Sequence, residues 1–239
     1  MNTESNIVTQ ERKTISITKQ NHPKEIEIFA GMLNTFTNGF NIIGSFTLKD
    51  DNEAEYIWLL LSTRCLHSIK CAIDLTLKGY YSQAMSIIRT ITEDWFICGN
   101  AKSNDVIRKC LLHDEERMPK YIDLAAQMKA TNIYEEDYRY QSKFIHSSKL
   151  SLRVLIDPKT NNMKIVPGYD ELLFLLCAES LMRVFLLMAE YLAFVLFYID
   201  ENEAKSWNTQ NIPNVNNVVN WLKAIKIKYD DKTVISHNS

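Results

Sequence analysis

The sequence predicts an all-α protein: an antiparallel helical bundle carrying one small inserted β-hairpin. Apolar residues recur at spacings of three and four in one segment after another, the period of an amphipathic helix. Gly and Pro are scarce, six and five in 239 residues, so little interrupts long helices. The few breaks rich in Asn, Asp and Gly fall between the periodic segments, where turns belong.

Residues 1–20 are polar and read as a flexible N-terminal arm, with Ile15 and Ile17 alternating as in a short strand. Pro23 suits a first helical turn, and Ile26, Phe29, Ala30, Leu33, Phe36, Phe40 and Ile43 follow at helical spacing up to Gly44. Asp50, Asp51 and Asn52 offer caps for a second helix over Glu53–Leu77, with Ile57, Leu60, Leu61, Ile69, Ile73 and Leu77 expected on its buried face. Gly79 closes it, and the third helix, Tyr81 to about Ala101, returns antiparallel after the short turn. Shorter helices are expected over Val106–His113, Pro119–Lys129 and Glu135–Lys149. LRVLI and MKIV, flanking the turn-rich DPKTNN, predict the hairpin over Leu152–Val166.

Pro167, Gly168 and Asp170 introduce the longest apolar run, Glu171–Ile199. Its longest uncharged stretch, Tyr191–Ile199, is too short to cross about 30 Å of hydrocarbon. Glu171, Glu179, Arg183 and Glu190 fall in one narrow strip when plotted at ~100° per residue. A helix apolar except for one strip is the central helix of a bundle, so no membrane partner is expected. Asn211, Pro213 and Asn214 read as the end of a linker, and Val215, Val218, Val219, Leu222 and Ile225 as a last amphipathic helix. The expected organisation is one helical-bundle domain over residues 21–229 and a frayed tail over 230–239.

A net charge of −2 gives no global attraction to nucleic acid or to an anionic membrane. The five cysteines are odd in number, lack any CxxC and sit mostly among apolar residues, which fits free thiols in a reducing compartment and hence the cytoplasm. The sequence holds no GxxxxGK[ST] phosphate loop, no HExxH, no GxSxG elbow and no Cys/His cluster with zinc spacing, so neither a cofactor nor a metal is expected.

Two polar groups stand out. Arg89 and Glu93, one helical turn apart in SQAMSIIRTITEDW, sit at the edge of an apolar stripe formed by Ala84, Ile87, Ile88, Ile91 and Trp95. Such a pair is either a structural bridge or an Arg aimed by its Glu at an anion. Arg139, Ser142, Lys143 and His146 share one side of a helix in YRYQSKFIH. His146 has the side chain suited to proton transfer near neutrality, and an Arg two turns away can hold a phosphate.

Taken together, LKGYYSQAMSIIRTITEDW and the later YRYQSKFIHSS resemble the HEPN-like helical families, which include bacterial members of unknown function. The resemblance covers roughly residues 55–150 and rests on Gly79, Ala84, Arg89, Glu93, Ser142 and His146. The HEPN ribonuclease motif is an Arg and a His separated by four to six residues; Arg139 and His146 match its long end, with Tyr140 where a polar residue often follows the Arg. The resemblance implies a helical, usually dimeric protein, whose relatives include metal-independent RNases of toxin or antiphage systems and others that only bind. Under the nuclease reading RNA is the partner, His146 is the acid or base, and Arg139 with Arg89 stabilises the phosphate. Under the competing reading the chain is an inert interaction or regulatory module with a protein partner, in which Arg89, Glu93, Ser142 and His146 only fix helix register. A third reading has the same cluster bind a nucleotide or other small anion without turnover. The apolar surface of Tyr191–Ile199 adds a second reason to expect a homodimer.

Overall fold

The computed structural model describes residues 3–45, 52–145 and 168–236, and these are mostly helical. The elements are α1 (Thr3–Asn21), α2 (Pro23–Ile43), α3 (Glu53–Lys78), α4 (Tyr81–Asn100), α5 (Asp105–Arg108), α6 (Tyr121–Gln127), α7 (Thr131–Ile133), α8 (Arg139–Ile145), α9 (Glu171–Ile199) and α10 (Glu201–Ser236). Single π-helical turns extend α5 over Lys109–His113 and join α7 to α8 over Tyr134–Tyr138. No strand occurs among the described residues, and the Leu152–Val166 segment read as a hairpin lies outside them.

α9 is the central helix. It packs against α2, α3, α4 and α10, while α1 lies across α2 and α3. By length and composition α9 could cross a membrane, yet 67% of its most apolar window is buried inside the bundle. Asp170 caps it, accepting the Leu173 N–H at 3.1 Å, while its own N–H donates to the Tyr81 hydroxyl at 3.2 Å. Of the C-terminal stretch, Tyr191, Leu192, Val195 and Leu196 are buried, whereas Phe194, Phe197 and Tyr198 are about half exposed.

The α3–α4 hairpin carries the candidate residues. Asn52 caps α3 by accepting the Glu55 N–H at 3.3 Å. Gly79 closes α3 in the left-handed conformation (φ 86°), with its N–H on Thr76 O and the Tyr80 N–H on Leu75 O. A Cβ here would stand 2.7 Å from the carbonyl oxygen of Gly168. Gly79→Ala is therefore expected to destabilise by about 2 kcal/mol, from the left-handed backbone and from contact with a main chain that cannot swing away. Urea unfolding of Gly79→Asn checks the cause. Asn tolerates the backbone but carries the same Cβ, so full recovery in that variant would remove Gly168 from the explanation.

Three expectations are corrected. The N-terminal arm is a helix. Its inward face is made of small polar residues, Thr14 and Thr18, which are buried, with the Thr18 hydroxyl donating to Thr14 O at 2.9 Å. Glu11 ties α1 to the α3–α4 turn, accepting from the Tyr80 hydroxyl at 2.8 Å. No hydrophobic period announced this face. The linker ending at Pro213 is helix too. Ala204, Trp207, Asn211, Val218, Trp221 and Ile225 are buried at alternating spacings of three, four and seven, one seam running through the proline. Two asparagines hid it: Asn211 donates to Trp207 O at 2.8 Å, and Asn214 to the Thr35 hydroxyl at 3.1 Å. The helix is assigned as far as Ser236. Finally, Leu60, assigned to the buried face of α3, is 52% exposed, and Leu77 is only partly buried.

Candidate functional site

Arg89 and Glu93 lie on the flank of α4 that packs against α8, and both reach Tyr138. The π turn before α8 inserts one extra residue, which buries Asp137 and Tyr138 side by side. Arg89 Nη2 donates to the Tyr138 hydroxyl at 2.6 Å, and that hydroxyl donates to Glu93 Oε1 at 3.1 Å. Arg89 Nε stands 3.2 Å from the same carboxylate oxygen, at an angle that makes it a charge contact rather than a hydrogen bond. The guanidinium carbon sits 4.8 Å above the Tyr138 ring. Burial and the Glu93 carboxylate push the Tyr138 phenol up, against the opposing pull of Arg89. Tyr134 stacks on Tyr138 at 5.0 Å, and Tyr121 flanks it at 5.6 Å.

The Arg89–Glu93 pair is thus joined to the segment that leads into α8, as a register-fixing bridge would be. It is half-buried rather than buried, with 24% and 19% of the two side chains exposed. The cost of breaking it is correspondingly smaller than for a sealed pair. Glu93→Gln is expected to lower stability by about 1 kcal/mol, since the amide still accepts from Tyr138 while the charge partner of Arg89 is lost. A thermal melt of that variant superimposing on wild type would show that the bridge contributes nothing to the fold.

The remaining candidates are differently placed. Arg139 opens α8 on the surface, 61% exposed and paired with Glu135 one turn earlier. Ser142 turns its hydroxyl back to Tyr138 O at 2.8 Å, within its own helix. Lys143 is exposed, and His146 lies outside the described residues. Between them Gln141 is buried and accepts the Thr92 hydroxyl at 3.0 Å, its Nε2 having no hydrogen-bond partner among the described residues. The structure brings Arg89, Glu93 and Ser142 to the two sides of Tyr138 and keeps Arg139 on the outer face.

Two buried carboxylates escaped the sequence reading. Asp94, beside Glu93, has no exposed side-chain surface and is gripped by Arg64 of α3 through both Nε (2.9 Å to Oδ2) and Nη2. Burial raises its pKa against the opposing pull of Arg64. The signal was in the stripe itself: Asp94 follows Ile87 and Ile91 at the spacing where the next apolar residue belongs. Asp137, 3.6 Å from Arg183 Nη1 of α9, is pushed up to about 6 by burial, with Glu136 and Glu179 adding to the rise and Arg183 opposing it. Glu179, on the charged strip of α9, holds Arg183 from one turn away at 3.1 Å.

All five thiols are free. Cys65, Cys98 and Cys177 are buried, and burial pushes each up, away from reactivity; Cys71 is exposed and Cys110 half-buried. Comparison with family models, with curated proteins and with solved structures finds no match to this chain.

Proposed function

We propose that the protein is a non-catalytic helical interaction or regulatory module, acting in the cytoplasm as a homodimer with a protein partner. The observation that supports this most is the state of the Arg89–Glu93–Tyr138 cluster. Its charges are spent on one another, and Ser142 is bonded within its own helix. A group engaged this way ties α4 to the segment leading into α8, as a register-fixing bridge would. The exposed aromatic side chains of Phe194, Phe197 and Tyr198 support the homodimer, and five free thiols suit a reducing compartment.

A second reading keeps one observation of its own. Arg139 is paired only as exposed surface residues pair, at a cost of about 1 kcal/mol or less to release. Under this reading the protein is a HEPN-like, metal-independent endoribonuclease of a toxin or antiphage system. His146 exchanges the proton of a ribose 2′-hydroxyl, and Arg139 with Arg89 stabilises the phosphate in the transition state.

Incubation of the purified protein with total RNA in EDTA separates the two. The module reading expects intact RNA from wild type and from His146→Ala alike. RNA cleavage that persists in EDTA, spares DNA of the same sequence, disappears in His146→Ala and returns only in part when Arg139→Lys replaces Arg139→Ala would transfer the conclusion to the nuclease. Light scattering checks the dimer, and a monomer mass at every concentration removes it.

A further inference from the structure

We propose that the groove between α3 and α4 binds an amphiphile, an apolar chain ending in a single carboxylate. The inference is independent of the reading above: Thr90 of α4 turns into this groove, whereas Arg89 and Glu93 turn toward Tyr138.

The groove measures about 730 Å³, the size that takes a small organic ligand. Its polar side chains lie in the middle of the α3 stretch, with Cys71 after them and Ile87 of α4 adding apolar wall. The N-terminal part presents Tyr56, Leu59 and Leu60, with Tyr56 and Leu60 half exposed and uncovered by any described element. The next two turns present Arg64, His67 and Ser68. From Tyr56 to Arg64 a helix rises about 12 Å, so apolar wall and guanidinium stand a short acyl chain apart.

Arg64 is built to receive an anion. Its Nε and Nη2 edge is fastened to Asp94, a carboxylate sealed inside the protein, so the plane of the guanidinium is fixed. The opposite edge, carrying Nη1, points away from Asp94, and among the described residues nothing bonds to it although 51% of the side chain is exposed. A guanidinium held in place by one carboxylate spends no conformational freedom in binding a second. His67, one turn on, lines the same groove and offers a ring nitrogen for hydrogen bonding.

Titration calorimetry on the full-length protein tests this, with decanoate below its micelle concentration as the probe. Decan-1-ol supplies the chain without the charge, acetate the charge without the chain, and decyltrimethylammonium the opposite charge. Saturable binding of one decanoate per chain is expected, with decanol and the ammonium weaker by about tenfold or more and acetate silent. Leu60→Asp puts a like charge beside the chain at a position already exposed, and should weaken decanoate by about tenfold with an unchanged melt. Arg64→Lys keeps a cation for Asp94 but loses the second edge, and should weaken it too. Equal affinity for decanol, full affinity in Leu60→Asp, or no saturable binding overturns the proposal. So does a dimer that Leu60→Asp converts to monomer, which would assign the groove to a second copy of the chain.

Discussion

Arg64→Ala is expected to cost the protein about 3 kcal/mol, more than removal of any other single charge among the described residues. The reason lies with the partner left behind. Asp94 is wholly enclosed, and Arg64 is the cation that holds both its oxygens. Without it the carboxylate must stay ionised inside the bundle or take up a proton, and burial already pulls its pKa upward. The converse change costs less. In Asp94→Asn the half-exposed Arg64 recovers water, and the loss should be about 1 kcal/mol. Combining Arg64→Ala with Asp94→Asn should restore most of what the first change removed, because the uncompensated charge is gone. Urea unfolding of the two single variants and the double variant checks this. Equal losses in the single variants, adding in the double, would show that Asp94 is solvated from elsewhere.

Stability is expected to fall as pH rises from about 4 to about 6, by up to about 3 kcal/mol, through Asp137 alone. The sign follows from the direction of the shift. In the unfolded chain the carboxyl titrates near its ordinary value, about 3.9, whereas in the folded protein burial raises it to about 6. Between those values the folded state binds more protons than the unfolded one, so removing protons favours unfolding. The contribution is fully present below the unfolded value and lost once pH passes the folded one. Asp94, raised in the same direction, adds to the same slope. Asp137→Asn keeps the shape without the titration. It should flatten the profile between pH 4 and 6 and leave the protein more stable than wild type at pH 7, with Arg183 still held by Glu179. The measurement is the melting temperature of both proteins across this range. Parallel profiles would mean that Asp137 titrates normally in the fold.

The stripes of α2, α3, α4 and α9, the Asn52 cap and the Gly79 turn were all legible in the sequence, because each is local: a period, a capping oxygen or a left-handed residue declares itself within a turn or two. So was the Arg89–Glu93 pair, whose partners share one helix face. What the sequence could not give was which face meets which neighbour. Thr14, Thr18 and Asn211 are buried by helices distant in sequence, and the Thr18 hydroxyl and Asn211 amide donate to main-chain carbonyls one turn back. Leu60 looks like a core residue until α4 lies beside α3 and leaves it on the outer wall. Arg64 and Asp94 stand thirty residues apart, and only the antiparallel return of α4 makes them a pair. Periodicity along one chain segment fixes what a helix can bury; packing between segments decides what it does bury, and so which charges become partners and which remain free to bind.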